Sequence, residues 1–158
     1  MWVVNSSPLI VLGKAGLLEL LAELAGSLIV PMAVFHEVTV RKAEASLMAF
    51  LEHSSRVQIK PNVEHRPEIL AWDLGSGESQ AISMAALMGA ERVVLDDLEA
   101  RRCANSLNIS VIGSLGIVVK AKQKGLISEA KAIIERLRRV GLYLDDGLVA
   151  KALEMVGE

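Results

Sequence analysis

The stretch Gly75-Ser76-Gly77-Glu78-Ser79-Gln80-Ala81-Ile82, running on to Val93-Val94-Leu95-Asp96-Asp97, decides the fold. A glycine turn opens a helix predicted from Glu78 to about Met88, with Ala81, Ile82, Ala85 and Ala86 on one face. Small residues there let a helix approach a sheet closely. Val93-Val94-Leu95 is a continuous apolar run, the pattern of a strand covered on both faces. It stops at two carboxylates, and Leu98 to Leu107 then reads as the next helix.

The same rhythm extends in both directions. Upstream, Trp2 to Val4 is a short apolar strand that stops at Asn5-Ser6-Ser7-Pro8. A short helix over Leu9 to Leu12 breaks around Gly13 and Gly16, and a leucine stripe over Leu17 to Leu24 stops at Gly26. Leu28-Ile29-Val30 is a second strand, followed by Pro31 at the first position of a helix with Val34, Phe35 and Val38 inward. A helix over Ala43 to His53, a strand at Val57-Gln58-Ile59 and a largely irregular stretch from Lys60 to Asp73 complete that half. Downstream, Ile109 to Ile112 is the last strand. Gly113-Ser114 turns into a helix that ends near Lys124-Gly125. Ser128 is expected to cap the next helix, and Asp145-Asp146 to open the final one, with Leu148, Val149, Ala152, Leu153 and Val156 inward. Alternating helices and short apolar strands predict an α/β fold: three layers, α/β/α, around a central, mostly parallel sheet. One domain over residues 1–158 is expected, with no repeat and no low-complexity tract.

Composition narrows the class. Of 158 residues 52% are hydrophobic but only 3% aromatic, so the core must be aliphatic. The net charge of -2 argues against a strongly basic nucleic-acid wrapper and leaves room for a local basic patch. Cys103 is the single cysteine, so no intramolecular disulfide forms. There is no apolar run of about 18 residues and no signal-peptide pattern, so a cytoplasmic protein is expected, without a membrane span.

In a parallel sheet, ligands bind beyond the carboxyl ends of the strands. Asn5, Ser6 and Ser7 follow the first strand there, and Glu37 comes a turn and a half into the helix after the second. Glu78 follows the glycine turn, Asp96 and Asp97 follow the fourth strand, and Ser114 follows the last. Four carboxylates and an amide thus reach one end of the sheet. Converging carboxylates repel, and either a bound cation or raised pKa values must resolve the conflict. Hard divalent ions such as Mg²⁺ or Mn²⁺ take oxygen ligands of this kind, and they support phosphodiester hydrolysis.

The order of these motifs resembles the PIN domain. The resemblance is carried by Asn5-Ser6-Ser7-Pro8-Leu9-Ile10, by Pro31-Met32-Ala33-Val34-Phe35-His36-Glu37-Val38, by the Gly75 to Ile82 run, and by Leu95-Asp96-Asp97-Leu98-Glu99-Ala100-Arg101. It covers nearly the whole chain and is closest to an uncharacterised prokaryotic branch of toxin-related PIN proteins. It implies a metal-dependent endoribonuclease, in many cases the toxin of a toxin–antitoxin pair. RNA is then the substrate, a small antitoxin protein a partner, and a homodimer the expected assembly. Carried over residue by residue, the catalytic positions fall on Asn5, Glu37, Glu78 and Asp97. The Mg²⁺ or Mn²⁺ ligands fall on Glu37, Glu78, Asp96 and Asp97, and the substrate-binding positions on Ser7, Arg101 and Ser114.

Asn5 stands where the family usually has aspartate. An amide oxygen can ligate a metal but brings no charge, which supports a second expectation: a catalytically silent PIN-like binding or assembly module. Several of these residues also have a plain structural reading. Asn5 and Asp96-Asp97 suit helix caps, as Asp145-Asp146 do elsewhere, Glu78 suits the first turn of a helix, and Glu37 and the late basic residues suit solvated helix surface. The histidines and the lone cysteine lack zinc-ligand spacing, Gly75-Ser76-Gly77 is no dinucleotide fingerprint, and no P-loop is present. A phosphoacceptor receiver domain would need acidic residues after the first strand, where Asn5-Ser6-Ser7 stands.

Overall fold

The apolar runs become five short strands in the computed structural model, which describes residues 1–158. They are β1 (Trp2–Val4), β2 (Leu28–Pro31), β3 (Val57–Lys60), β4 (Arg92–Val94) and β5 (Val111–Ile112). They lie in one sheet in the order β3-β2-β1-β4-β5, and all four pairings are parallel. Alternate residues on each strand enter opposite cores. Trp2, Val4, Leu28, Val30, Val94 and Ile112 face the larger one, and Val3, Ile29, Val93 and Leu95 face the smaller.

The helices cover both faces. α1 (Ser6–Lys14), α2 (Leu18–Ala25), α3 (Met32–Val40), α4 (Ala45–His53), α8 (Ser114–Gln123) and α9 (Ala130–Arg139) bury their stripes in the larger core. α5 (Pro67–Leu70), α6 (Ser76–Met88) and α7 (Leu98–Ser106) close the smaller core through Ile69, Ala81, Ile82, Ala85, Ala100 and Ala104. α10 (Asp146–Met155) packs outside, against α8 and α9. The three-layer α/β/α architecture is the expected one, with a wholly parallel sheet. No helix is long and apolar enough to cross a membrane.

Several local expectations are corrected. α1 does not break at Gly13 but begins at Ser6 and runs on to Lys14. Gly13 lies against α4, where an added Cβ would meet Leu47 at 3.5 Å, and the turn falls instead at Gly16, whose φ is +72°. Pro31 ends β2 in extended backbone (ψ 147°) rather than starting α3. The α3 terminus is satisfied from a distance, because Ala33 N–H donates to Asn62 Oδ1 at 2.9 Å. α6 starts two residues before Glu78, at Ser76.

Ser128 does not cap α9. The side chain of Glu158 accepts from Ala130 N–H at 2.7 Å and Lys131 N–H at 3.1 Å, with Lys122 Nζ 3.4 Å away. On α10 only Ala152 is buried and Leu148 is half exposed, because an outer helix has no sheet beneath it. The irregular segment before α5 is fixed by buried Gln80. Its side chain accepts from Val63 N–H (2.9 Å) and donates to Val63 C=O (2.8 Å), a backbone-like pairing made by an amide side chain.

Candidate functional site

β1 sits between β2, which leads on to β3, and β4, which leads on to β5. The chain therefore reverses its direction of travel across the sheet at β1 and β4, and the crevice at their carboxyl ends is the natural binding position. Asn5 leaves β1 there. Its N–H extends the ladder to Val94 C=O at 3.2 Å, and its C=O accepts from Leu9 N–H as α1 begins. Asn5 occupies the cap position, yet its side chain makes no capping bond. Its Oδ1 is buried with no hydrogen-bond partner. Leaving such an acceptor unmet costs about 1–3 kcal/mol.

Glu37 approaches from α3 and is held from two sides. Ser6 Oγ donates to Oε2 at 2.5 Å, and Gly77 N–H, in the first turn of α6, donates to Oε1 at 2.8 Å. The close approach depends on glycine, because a Cβ on Gly77 would lie 2.5 Å from Glu37 Oε2 and 2.8 Å from its Cδ. One residue on, Glu78 Oε2 reaches back to Gly75 N–H at 3.3 Å, closing the α6 N-terminus. Its pKa is raised above the ordinary 4.5, first by burial and then by the charges of Asp97 and Glu37; the Gly75 bond and Arg41 oppose the shift. Glu37, Glu78 and Asp97 therefore share one electrostatic field. Asp97 is exposed at the N-cap of α7, where Oδ2 accepts from Ala100 N–H at 2.9 Å and Oδ1 has no partner.

Asp96 has a different setting. Its Oδ1 accepts from Ser114 N–H at 2.7 Å and its Oδ2 from Ser114 Oγ at 2.6 Å, so it ties the end of β4 to the start of α8. Arg101 folds back over the same joint, with Nη1 donating to Leu95 C=O at 3.1 Å. Gly113 makes room for it, since a Cβ there would lie 2.5 Å from that Nη1. Asp96 and Arg101 line the head of a groove of about 630 Å³ whose walls include Leu98, Tyr143, Leu148 and Lys151.

Matching against protein-family models settles the lineage that this arrangement suggests. Residues 1–158 match DUF3368, described as a PIN domain. The chain belongs to the PIN-domain family. No curated protein matches it.

Within this PIN domain, the residues named from sequence separate into two groups. Glu37, Glu78 and Asp97 interact through their charges, and Asn5 adjoins them through its neighbour Ser6. Asp96, Arg101 and Ser114 form a hydrogen-bonded joint beside them. Ser7, half-buried in the first turn of α1, makes no hydrogen bond to either group. No three Asp, Glu, His or Cys side chains stand close enough together to make a finished metal centre. The donor set is nonetheless all oxygen, the chemistry that suits Mg²⁺ or Mn²⁺, and the unmet Asn5 Oδ1 is an acceptor that a cation would satisfy.

The sequence places Ser6 and Ser7 together at this edge, and Ser6 is the one whose hydroxyl meets Glu37. Two further contributors carry no site role in the sequence. Gly77, expected in the turn before the helix, sits inside α6, and a glycine at a helical position is itself a signal of close approach. Arg41, four residues after Glu37 and so on the same face of α3, places positive charge near Glu78.

Proposed function

We propose that this PIN domain is a Mg²⁺- or Mn²⁺-dependent endoribonuclease whose metal is held by Glu37, Glu78 and Asp97, with Asn5 as a neutral oxygen ligand. The observation that carries the reading is the orphaned Asn5 Oδ1, buried at the switch point beside a Glu37 carboxylate locked in place by Ser6 and Gly77. A bound divalent ion supplies Lewis acidity, making water nucleophilic at neutral pH and offsetting charge on the phosphoryl oxygens.

The chain's own residues do the positioning. Ser6 and Gly77 fix the Glu37 carboxylate and leave each oxygen a further lone pair. Asp97 keeps Oδ1 free while Oδ2 holds α7. Glu78 retains a proton more readily than an ordinary carboxylate and gives it up when positive charge arrives. Asp96 is a positioning residue, orienting the β4–α7 turn through Ser114. In this reading Asp97, rather than Asp96, is the principal acid after β4.

A role as the toxin of a toxin–antitoxin pair goes with this reading. The groove beside Asp96, with Tyr143 88% exposed at its rim, is the surface we assign to a protein partner. Two observations favour the second reading, a silent binding module: the carboxylates do not form a finished centre, and Asn5 adds no charge.

Mn²⁺ titration by calorimetry, comparing the native chain with Asp97→Ala, separates the two. Binding that is lost in the variant, followed by Mn²⁺-dependent cleavage of single-stranded RNA, supports the nuclease. No binding by the native chain refutes it in favour of the silent module.

A further inference from the structure

A second cavity, of about 340 Å³, lies where the end of α1, the end of α3 and the start of α4 meet. Three of its lining side chains are cations, Lys14, Arg41 and Lys42, and one is an acid, Glu44; Leu47 and Ile10 contribute its apolar surface. None of the three cations takes part in an ion pair or a side-chain hydrogen bond, although the chain makes such pairs elsewhere, as between Arg138 and Asp146 at 2.8 Å. Three cations against one acid leave this notch with a surplus of positive charge in a protein whose net charge is -2.

The notch also adjoins the acidic site. Arg41 caps the end of α3, its N–H donating to Glu37 C=O at 3.0 Å, and lies one helical turn beyond Glu37, about 6 Å along the axis. Its charge is felt by Glu78. Lys42 is held with φ at +52°, a backbone state that a lysine adopts at a cost and that glycine would adopt freely.

We infer that Lys14, Arg41 and Lys42 form a phosphate-binding subsite that holds the backbone of a single-stranded RNA one helical turn from the acidic site. The inference rests on the nuclease reading for the identity of the strand. The cations supply what the carboxylates cannot: attraction for a polyanion whose scissile phosphate must approach Glu37, Glu78 and Asp97. Without a nearby excess of positive charge, the acidic edge would repel its own substrate. Arg101, bonded to Leu95 C=O on the far joint, is the alternative cation that the family resemblance names.

The test is anisotropy of a fluorescein-labelled single-stranded RNA titrated with the full chain in EDTA, where no cleavage occurs, over a range of salt. Lys14→Gln with Lys42→Gly removes two charges from exposed positions, and the glycine suits the backbone of residue 42, so folding is preserved. Affinity should fall about tenfold, and the slope of log K against log salt should become shallower by about 1.4, or about 0.7 for each lost phosphate contact. Lys124→Gln, on exposed surface, should change neither.

Mn²⁺ binding, measured separately, should be the same in the double variant as in the native chain. If the native chain binds Mn²⁺ and cleaves RNA while the double variant keeps its RNA affinity and salt slope, the subsite is refuted and the nuclease stands. If the double variant loses RNA binding but the native chain takes no Mn²⁺, the subsite stands and the nuclease fails. A native chain with no affinity for RNA in EDTA refutes the subsite, whatever Mn²⁺ does.

Discussion

Replacing Gly77 with alanine sets two effects of opposite sign against each other. Residue 77 lies in the first turn of α6, and alanine inside a helix is favoured over glycine by about 1 kcal/mol. On propensity alone Gly77→Ala should stabilise the protein. The new Cβ, however, would stand 2.5 Å from Glu37 Oε2 and 2.8 Å from Oε1 and Cδ. Those atoms end a flexible side chain, so Glu37 would swing away and lose the bond from Gly77 N–H. A hydrogen bond to a charged group contributes about 1.5–3 kcal/mol, so the net loss is roughly 0.5–2 kcal/mol. For a chain of this size that is a fall of about 1–8 °C in Tm. Thermal unfolding followed by circular dichroism measures it, and Mn²⁺ calorimetry on the same samples should show binding weakened at least about tenfold once Glu37 is displaced, or about 1.4 kcal/mol. A variant that melts higher than the native chain and binds Mn²⁺ unchanged would mean that Glu37 is not held against Gly77, and the site as described would be wrong.

Glu78→Gln tests the raised pKa. A carboxylate whose folded pKa lies above its unfolded value contributes stability that is complete below the unfolded value and is lost as pH rises through the folded one. The glutamine variant should therefore match the native chain near pH 4 and be the more stable at pH 7 without metal, as read from urea unfolding at the two pH values; equal stability at both would remove the strain assigned to Glu78. Ser114→Ala deletes the 2.6 Å bond to Asp96 Oδ2 from a fully buried position, and a loss of about 1.5–3 kcal/mol in denaturant unfolding is expected. A change within about 0.5 kcal/mol would show that the joint between β4 and α8 does not depend on it. Asn5→Asp adds a buried charge with no hydrogen-bond donor to meet it, so the metal-free chain should lose stability at pH 7 and regain it with Mn²⁺, together with tighter Mn²⁺ binding. Unchanged Mn²⁺ affinity would place Asn5 outside the site.

The sheet was legible because its strands are unbroken apolar runs. A run such as Val93-Val94-Leu95, with polar residues on both sides, has few alternatives to a buried strand. The edge of the site was legible for the same reason, since whatever follows such a run emerges at the carboxyl end. Contacts between segments distant in sequence were not legible. Nothing around Ala33 announces that Asn62 will satisfy its N–H, and nothing around Ala130 points to Glu158. The choice between Ser6 and Ser7 is of the same kind. Both begin α1, but successive helical residues diverge by about 100°, and only the position of α3 determines which hydroxyl meets Glu37. Asp96 and Asp97 separate likewise, because α8 starts beside one and α6 beside the other.

The unmet atoms at the crevice share a character that bears on what belongs there. Asn5 Oδ1 is buried and accepts no hydrogen bond, the exposed Asp97 Oδ1 accepts none from the protein, and Glu78 accepts one, at 3.3 Å. All are acceptors, and the neighbouring N–H and O–H groups of Ser6, Gly77 and Ala100 are already engaged. The edge therefore lacks positive charge rather than hydrogen-bond geometry. Two species can meet that need, a divalent cation or a proton, and the raised pKa of Glu78 marks where the proton goes when no cation is bound. If a divalent ion binds as proposed, proton and metal compete for that carboxylate, and Mn²⁺ affinity should climb with pH until Glu78 is ionised in the free chain and be level above it.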